Sequence, residues 1–564
     1  MVLIFSRVRI RLYLLILAAT LATAQTQEDE TKVRIAIVGA GITGASAAYH
    51  FNSEGTSTSI AITIFEKEAQ VGGRIQSKPY FGNYVAEAGA PHFSDSDECL
   101  INAVDTLGLR KKPEARPVGL WNGTALLYGA QGLGCAVGVE SGSGTLQDLV
   151  TEGRRVLFPP AQMRRIINRA RDDFSSWTAR LWKHGISAPW RFYRAAALDL
   201  EAWKHFGSNN SEPFDKLDAE LGRIGLSSNV LGPAGEYAGL GDLTYSREAV
   251  EPCTRALVSQ NLNQVCALAA VISNDPGRVI SLWDGNARLV EDMIKRSGAA
   301  LKTNSQVTQI KPGVDRRYYV ETAAGDNNDE FDIVLLAGGP DQDLSSILSD
   351  ILPPHQIPAP SHYTETHVTH FTTERLLHIP RSKFPEQDVP VPQDISAVYF
   401  TYNSGLNGPD LLHASTSVAR QRDPACKADP ECDEFVHRRV HRVVSKNPLS
   451  DEDIARLAGV SLEGALLAEG ETLEAKDITG VRRAAWPHAF PAYQKPRHET
   501  WGNIELAYGL FYLGGGERLH SSLEMGCRIG RNIAKLIHAT RREERRTHAS
   551  GGIENERDAD AREL

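Results

Sequence analysis

The chain has 564 residues, a net charge of −9, 41% hydrophobic residues and 23% charged residues. This length exceeds what one hydrophobic core usually spans, so two closely joined domains are expected. The composition excludes a disordered or fibrous chain, and the negative charge offers no general attraction for nucleic acid or anionic membranes.

In chain order, residues 1–24 come first. Basic Arg7, Arg9 and Arg11 precede an apolar run from Leu12 to Leu21 that ends in Ala22-Thr23-Ala24. This is the pattern of a cleaved signal peptide, and the run falls short of the roughly 20 residues that span a bilayer. A secretory route, ending outside the cell or in a lysosome or vacuole, agrees with glycosylation sequons at Asn122 and Asn209. It also agrees with Cys426 and Cys432, which are close enough to close a small disulfide loop. Cys99, Cys135, Cys253, Cys266 and Cys527 are expected to be buried thiols, and no spacing among them resembles a metal site.

Arg34 to Val38 reads as a buried strand that turns through Gly39-Ala40-Gly41-Ile42-Thr43-Gly44 into an alanine-rich helix. Gly39 permits the turn, Gly41 lets a diphosphate approach the backbone, and Gly44 lets helix pack on strand. A second strand, Ile60 to Phe65, ends in Glu66, about twenty residues past the third glycine, where a carboxylate binds ribose hydroxyls and repels a 2′-phosphate. Lys67 follows, and Gly73-Arg74 then offers a guanidinium to the diphosphate.

The region 150–205 alternates apolar and basic positions at helical spacing. It suits a helix over a pocket, a solvated face packed on the core, or peripheral membrane contact. Near the end, Leu510 to Leu513 reads as a strand, Gly514-Gly515-Gly516-Glu517 as a turn, and Ser522 to Ile537, with Glu524 and Met525, as a helix whose N-terminus favours negative charge. Residues 541–564 are charged, lack apolar periodicity and are expected to be disordered. The chain contains neither G-x-S-x-G nor H-E-x-x-H, so hydrolase and zinc chemistry have no support.

Gly72-Gly73-Arg74 after the second strand, YVAEAGAPHF with Gly89 and His92, WDGNARLVEDMI, HYTETHVTHFTTERLL and WPHAFPAYQKP together resemble the prenylcysteine oxidase (prenylcysteine lyase) family of amine-oxidase-like flavoproteins. The resemblance implies an α/β fold in which residues 31–120, 285–345 and 500–540 assemble a Rossmann-type FAD-binding domain. An inserted α+β substrate-binding domain would come from 121–284 and 346–499. It implies FAD as cofactor, with Val307 along the adenine and Gly515, Glu517, Glu524 and Met525 closing on the flavin, and His92 as a candidate beside the ring. It further implies oxidation of a small-molecule S-prenyl-cysteine to cysteine and a prenyl aldehyde, with oxygen reduced to hydrogen peroxide. An amine or isoprenoid oxidase, or a flavin-binding protein without turnover, would carry the same cofactor segments.

Overall fold

The computed structural model describes residues 32–560 apart from 54–59, 83, 114–117, 124–125, 129–186, 227–230, 276–278, 326–328, 340–342, 360, 381–386, 394, 402–409, 423–434, 461–477 and 494–501. The expected signal peptide, Cys426, Cys432 and most of the 150–205 region lie outside the described residues.

Thirteen strands form the two large sheets: β1 (Val33–Val38), β2 (Ile60–Phe65), β3 (Val118–Trp121), β4 (Leu126–Tyr128), β5 (Ala300–Lys302), β6 (Ile333–Leu336), β7 (Tyr363–Thr373), β8 (Ala397–Phe400), β9 (Leu411–Arg422), β10 (Phe435–Ser445), β11 (Thr479–Pro491), β12 (Glu505–Ala507) and β13 (Leu510–Tyr512). Seven helices position the site: α1 (Ile42–Ser53), α2 (Glu98–Thr106), α3 (Ser187–Lys204), α4 (Glu251–Val258), α5 (Ala267–Ser273), α6 (Ala287–Ser297) and α7 (Leu523–Asp560).

The apolar run of β1, fully buried from Ile35 to Val38, suits a strand covered on both faces, as in a parallel sheet. It lies inside a six-stranded sheet of order β5-β2-β1-β6-β13-β12, parallel except for β12. One face packs on α1, α6 and α7; the other holds Ala36, Val38, Phe65, Val334 and Leu336 against Val307 and Ile310. Helix α7 crosses α1 at backbone distance: a Cβ on Gly530 would stand 2.6 Å from the Ala47 nitrogen. The Ser46 hydroxyl donates to the Cys527 carbonyl at 2.7 Å in the same crossing.

The second sheet, β11-β7-β10-β9-β8-β3-β4, is antiparallel apart from the β8–β3 pair. Its strands alternate sides, as a half-buried sheet requires. Phe371, Val398 and Val443 enter one core with Trp121 and Ile454. Val368, Arg442 and Val444 face a large cavity.

Two expectations are corrected. Cys99 and Cys527 are not thiols but form a disulfide with Cα atoms 5.9 Å apart across 428 residues, joining the start of α2 to α7. Cys253 is disulfide-bonded as well, whereas Cys266 is a buried free thiol. Replacing both Cys99 and Cys527 by alanine should cost about 2–5 kcal/mol of stability, read as a lower urea midpoint. An unchanged midpoint would show that the helix packing alone holds α2 on α7. The charged tail, expected to be disordered from residue 541, continues α7 to Asp560. Charges spaced one turn apart favour the helix, as in Arg541–Glu544 at 3.3 Å, and Glu544 also accepts from Tyr508 at 3.1 Å.

Candidate active site

A cavity of ≈ 1760 Å³ runs from the glycine turn after β1 to the open face of the second sheet. Ligand pockets are commonly about 300–1,000 Å³, so there is room for a dinucleotide and a second molecule.

At one end the β1–α1 turn leaves space where a phosphate needs it. A Cβ added to Gly41 would meet nothing within 4 Å, whereas one on Gly44 would fall 2.1 Å from the Gly39 carbonyl oxygen. Gly41 therefore keeps a cradle open, and Gly44 lets α1 pack. The cradle fits a diphosphate at a helix N-terminus. Glu66 closes β2, 6% exposed, and its carboxylate accepts the Ala40 amide at 2.8 Å and the Glu68 amide at 3.0 Å. The Ser305 amide donates to the Glu66 carbonyl at 2.7 Å, which brings Val307 to this end of the cavity.

Of the residues singled out in the sequence, Gly39, Gly41, Ile42, Thr43, Glu66, Lys67, Gly73, Arg74, Gly89, His92, Val307, Glu517 and Met525 line the cavity. Ala40, Gly44 and Gly515 do not line it. Arg74, expected on the diphosphate, is ion-paired to Glu517 and donates to the Ala489 carbonyl at 2.9 Å and the Ser521 hydroxyl at 3.3 Å. It thereby ties the segment after β2 to the end of β11 and to the turn before α7.

Glu524 is a correction. It does not line the cavity: its carboxylate accepts the Cys99 and Leu100 amides, both at 3.0 Å, and pairs with Arg528 at 2.5 Å. Asp97, at the N-cap of α2, makes no cap bond with its own side chain, so Glu524 caps that helix from α7.

The far wall holds groups that the sequence did not announce. Arg442 on β10 donates from Nε to the Glu87 carbonyl at 2.9 Å, from Nη2 to the Gly89 carbonyl at 3.0 Å, and from Nη1 to His413 Nε2 at 3.1 Å. Trp486 Nε1 donates to the Ala88 carbonyl at 2.6 Å. The segment carrying Gly89 and His92 is thus pinned to the sheet. Because a guanidinium only donates, His413 Nε2 must accept, which leaves its proton on Nδ1. Burial, then the nearby Arg442 and His92, pushes His413 well below the ordinary histidine range, so it is neutral. His520, also on the wall, is pushed down to about 4 by burial.

Glu87 is pushed up to about 7, chiefly by burial, although the Asn286 amide and Ser77 hydroxyl donate to it. The folded chain holds this proton more tightly than the unfolded one. Its contribution to stability is full below about pH 4.5 and is lost as pH rises through about 7. Glu87→Gln should flatten that decline by up to about 3 kcal/mol, read from urea midpoints across this window. An unchanged slope would place the proton elsewhere.

Among the described residues, no group of three or more histidine, cysteine or acidic side chains could hold a metal ion.

The Rossmann-type turn, the acid closing β2 and the glycine-acid turn before α7, all at one cavity, define an FAD-dependent oxidoreductase. A NAD(P)-binding Rossmann-like domain model matches residues 37–107, and the prenylcysteine lyase family model matches residues 223–549, more than half of the chain. The chain belongs to the prenylcysteine lyase family. A search of curated proteins returns no match. Solved structures share the fold at low identity. One is an Exiguobacterium sp. 255-15 protein assigned as a protoporphyrinogen oxidase (15% identity, 90% of this chain and 99% of that one, TM-score 0.50). Another is the CLA-producing fatty acid isomerase of P. acnes (13%, 89% and 97%, 0.51). A third is a single-substitution variant of putrescine oxidase (14%, 90% and 99%, 0.50).

Proposed function

We propose that the protein oxidises an S-prenyl-cysteine thioether, with water and oxygen consumed and cysteine, a prenyl aldehyde and hydrogen peroxide released. The carrying observation is the family match over residues 223–549, the part of the chain that builds most of the second sheet and the cavity's far wall. Bound FAD would supply a two-electron acceptor that oxygen can restore. Gly39, Gly41 and Glu66 would hold its adenine-diphosphate half, and the α7 N-terminus with Met525 would face its ring end. The protein's own part is orientation and exclusion of bulk water: Val368, Val444, Ala485 and Trp486 offer an apolar wall to a hydrocarbon chain.

The route through the secretory pathway remains part of this proposal. It is supported by the disulfide between Cys99 and Cys527, a bond favoured in oxidising compartments, and by the exposed Asn209 as a glycan acceptor. Asn122 is half-buried, with its amide donating to Glu248 at 3.4 Å. Peripheral membrane contact is proposed for α3, where Trp190 is 56% and Leu198 71% exposed and Arg194 sits over the Trp190 ring. Among the described residues, no helix is long and apolar enough to cross a membrane.

Product analysis tests the reading. Incubated in air with S-farnesylcysteine or S-geranylgeranylcysteine, the flavin-loaded protein should release free thiol, aldehyde and peroxide in equal amounts. Peroxide without thiol would contradict thioether cleavage.

A further inference from the structure

Four arginines are deeply buried among the described residues: Arg255, Arg442, Arg528 and Arg531. Three have a carboxylate partner. Arg255 pairs with Asp410 at 2.5 Å, Arg528 with Glu524 at 2.5 Å and Arg531 with Glu98 at 3.4 Å, and none of these three lines the cavity. Arg442 lines it and makes no ion pair with any described residue. Its partners are two carbonyls and the neutral ring of His413. The acid closest to it in influence, Glu87, spends its carboxylate on Ser77 and Asn286.

A buried guanidinium surrounded only by neutral acceptors keeps its charge uncompensated, at considerable cost. Three of its five N–H groups are used, leaving two for an acceptor that the described residues do not supply. The surroundings narrow down what that acceptor is. Val444 lies two residues along the same strand on the same face, and Val368, Ala485 and Trp486 continue an apolar surface, with His413 and Tyr399 completing a small polar island around Arg442. An apolar wall around one uncompensated cation fits an amphiphile with a hydrocarbon chain and an anionic head.

We infer that Arg442 binds the carboxylate of the substrate, held in place by His413 and by the carbonyls of Glu87 and Gly89. The inference rests on the proposed function for the identity of that substrate, an amino-acid thioether. Planar guanidinium and carboxylate match in a two-point contact, which fixes the head group and sets the direction in which the chain lies along the wall. His413 is a positioning residue here: it accepts from Nη1 without neutralising the charge.

The test uses a saturated pair that cannot be oxidised at an allylic carbon, 3-(dodecylthio)propanoate and its neutral propanamide. Binding to the flavin-loaded protein is measured by calorimetry. The acid should bind roughly 10- to 100-fold more tightly than the amide. Arg442→Gln should abolish this preference, so that its flavin-loaded fraction binds acid and amide alike. Arg482→Gln, which removes an exposed cation from the same cavity, should leave the preference intact. Equal binding of acid and amide by the unaltered protein would overturn the inference, even if Arg442→Gln failed to fold. So would a preference that survives Arg442→Gln or vanishes with Arg482→Gln. The two readings fail separately. Acid preference lost with Arg442 in a protein that leaves prenylcysteine intact would sink the proposed function alone, and prenylcysteine oxidation without acid preference would sink this inference alone.

Discussion

Gly41→Val should yield a protein that folds normally yet purifies without flavin. A Cβ at this position meets nothing within 4 Å, and the residue is not among those with left-handed backbone. The folded chain therefore has room for the larger side chain, and stability should stay within about 0.5 kcal/mol of the parent. The space it fills is the cradle at the N-terminus of α1, where a diphosphate must touch the backbone. Flavin affinity should fall by ~100-fold or more, about 2.7 kcal/mol. Gly44→Ala makes the opposite case: its Cβ would lie 2.1 Å from the Gly39 carbonyl oxygen, so the fold should suffer before the cofactor does. Measuring urea midpoint and flavin absorbance together separates the two. A Gly41→Val protein that keeps its flavin would remove this turn from the cofactor site.

Glu524→Ala should be the most destabilising single carboxylate deletion at the α2–α7 junction, at about 3–5 kcal/mol. The change strips two amide caps from α2 and leaves Arg528 buried with only the Trp203 and Phe206 carbonyls, at 2.8 and 2.9 Å. Asp97 offers no replacement, since its carboxylate accepts the Ser94 amide at 2.6 Å and makes no cap bond to α2. Glu524→Gln keeps an acceptor and should lose less. Because Glu524 does not line the cavity, flavin absorbance of the folded fraction should be unchanged. A loss below about 1 kcal/mol in urea denaturation would contradict the capping role.

These two residues mark how far the sequence could be read. The turn from Gly39 to Gly44, the strand ending in Glu66 and the closing segment around Glu517 were legible because each is a local device, with its spacing fixed by one strand, one turn or one helix. Glu524 was placed at the flavin by family resemblance, whereas the direction of its side chain is set by α2, more than four hundred residues away in the chain. The same distance hid the disulfide between Cys99 and Cys527. Arg442 and His413 were invisible for a related reason. Strand alternation in VHRRVHRVVS shows that Arg442 and Val444 share a face, but only the pairing of β10 with β9, where His413 stands opposite Val444, brings the two side chains together.

If the proposed function holds, a prenyl thioether reduces the flavin of this protein in the absence of oxygen. The direct measurement is anaerobic mixing of the flavin-loaded chain with S-farnesylcysteine, following the visible flavin band and the free thiol released. The band should bleach, with one thiol formed per flavin, and return when air is admitted. A band that stays oxidised with prenylcysteines but bleaches with an amine would contradict the proposed function.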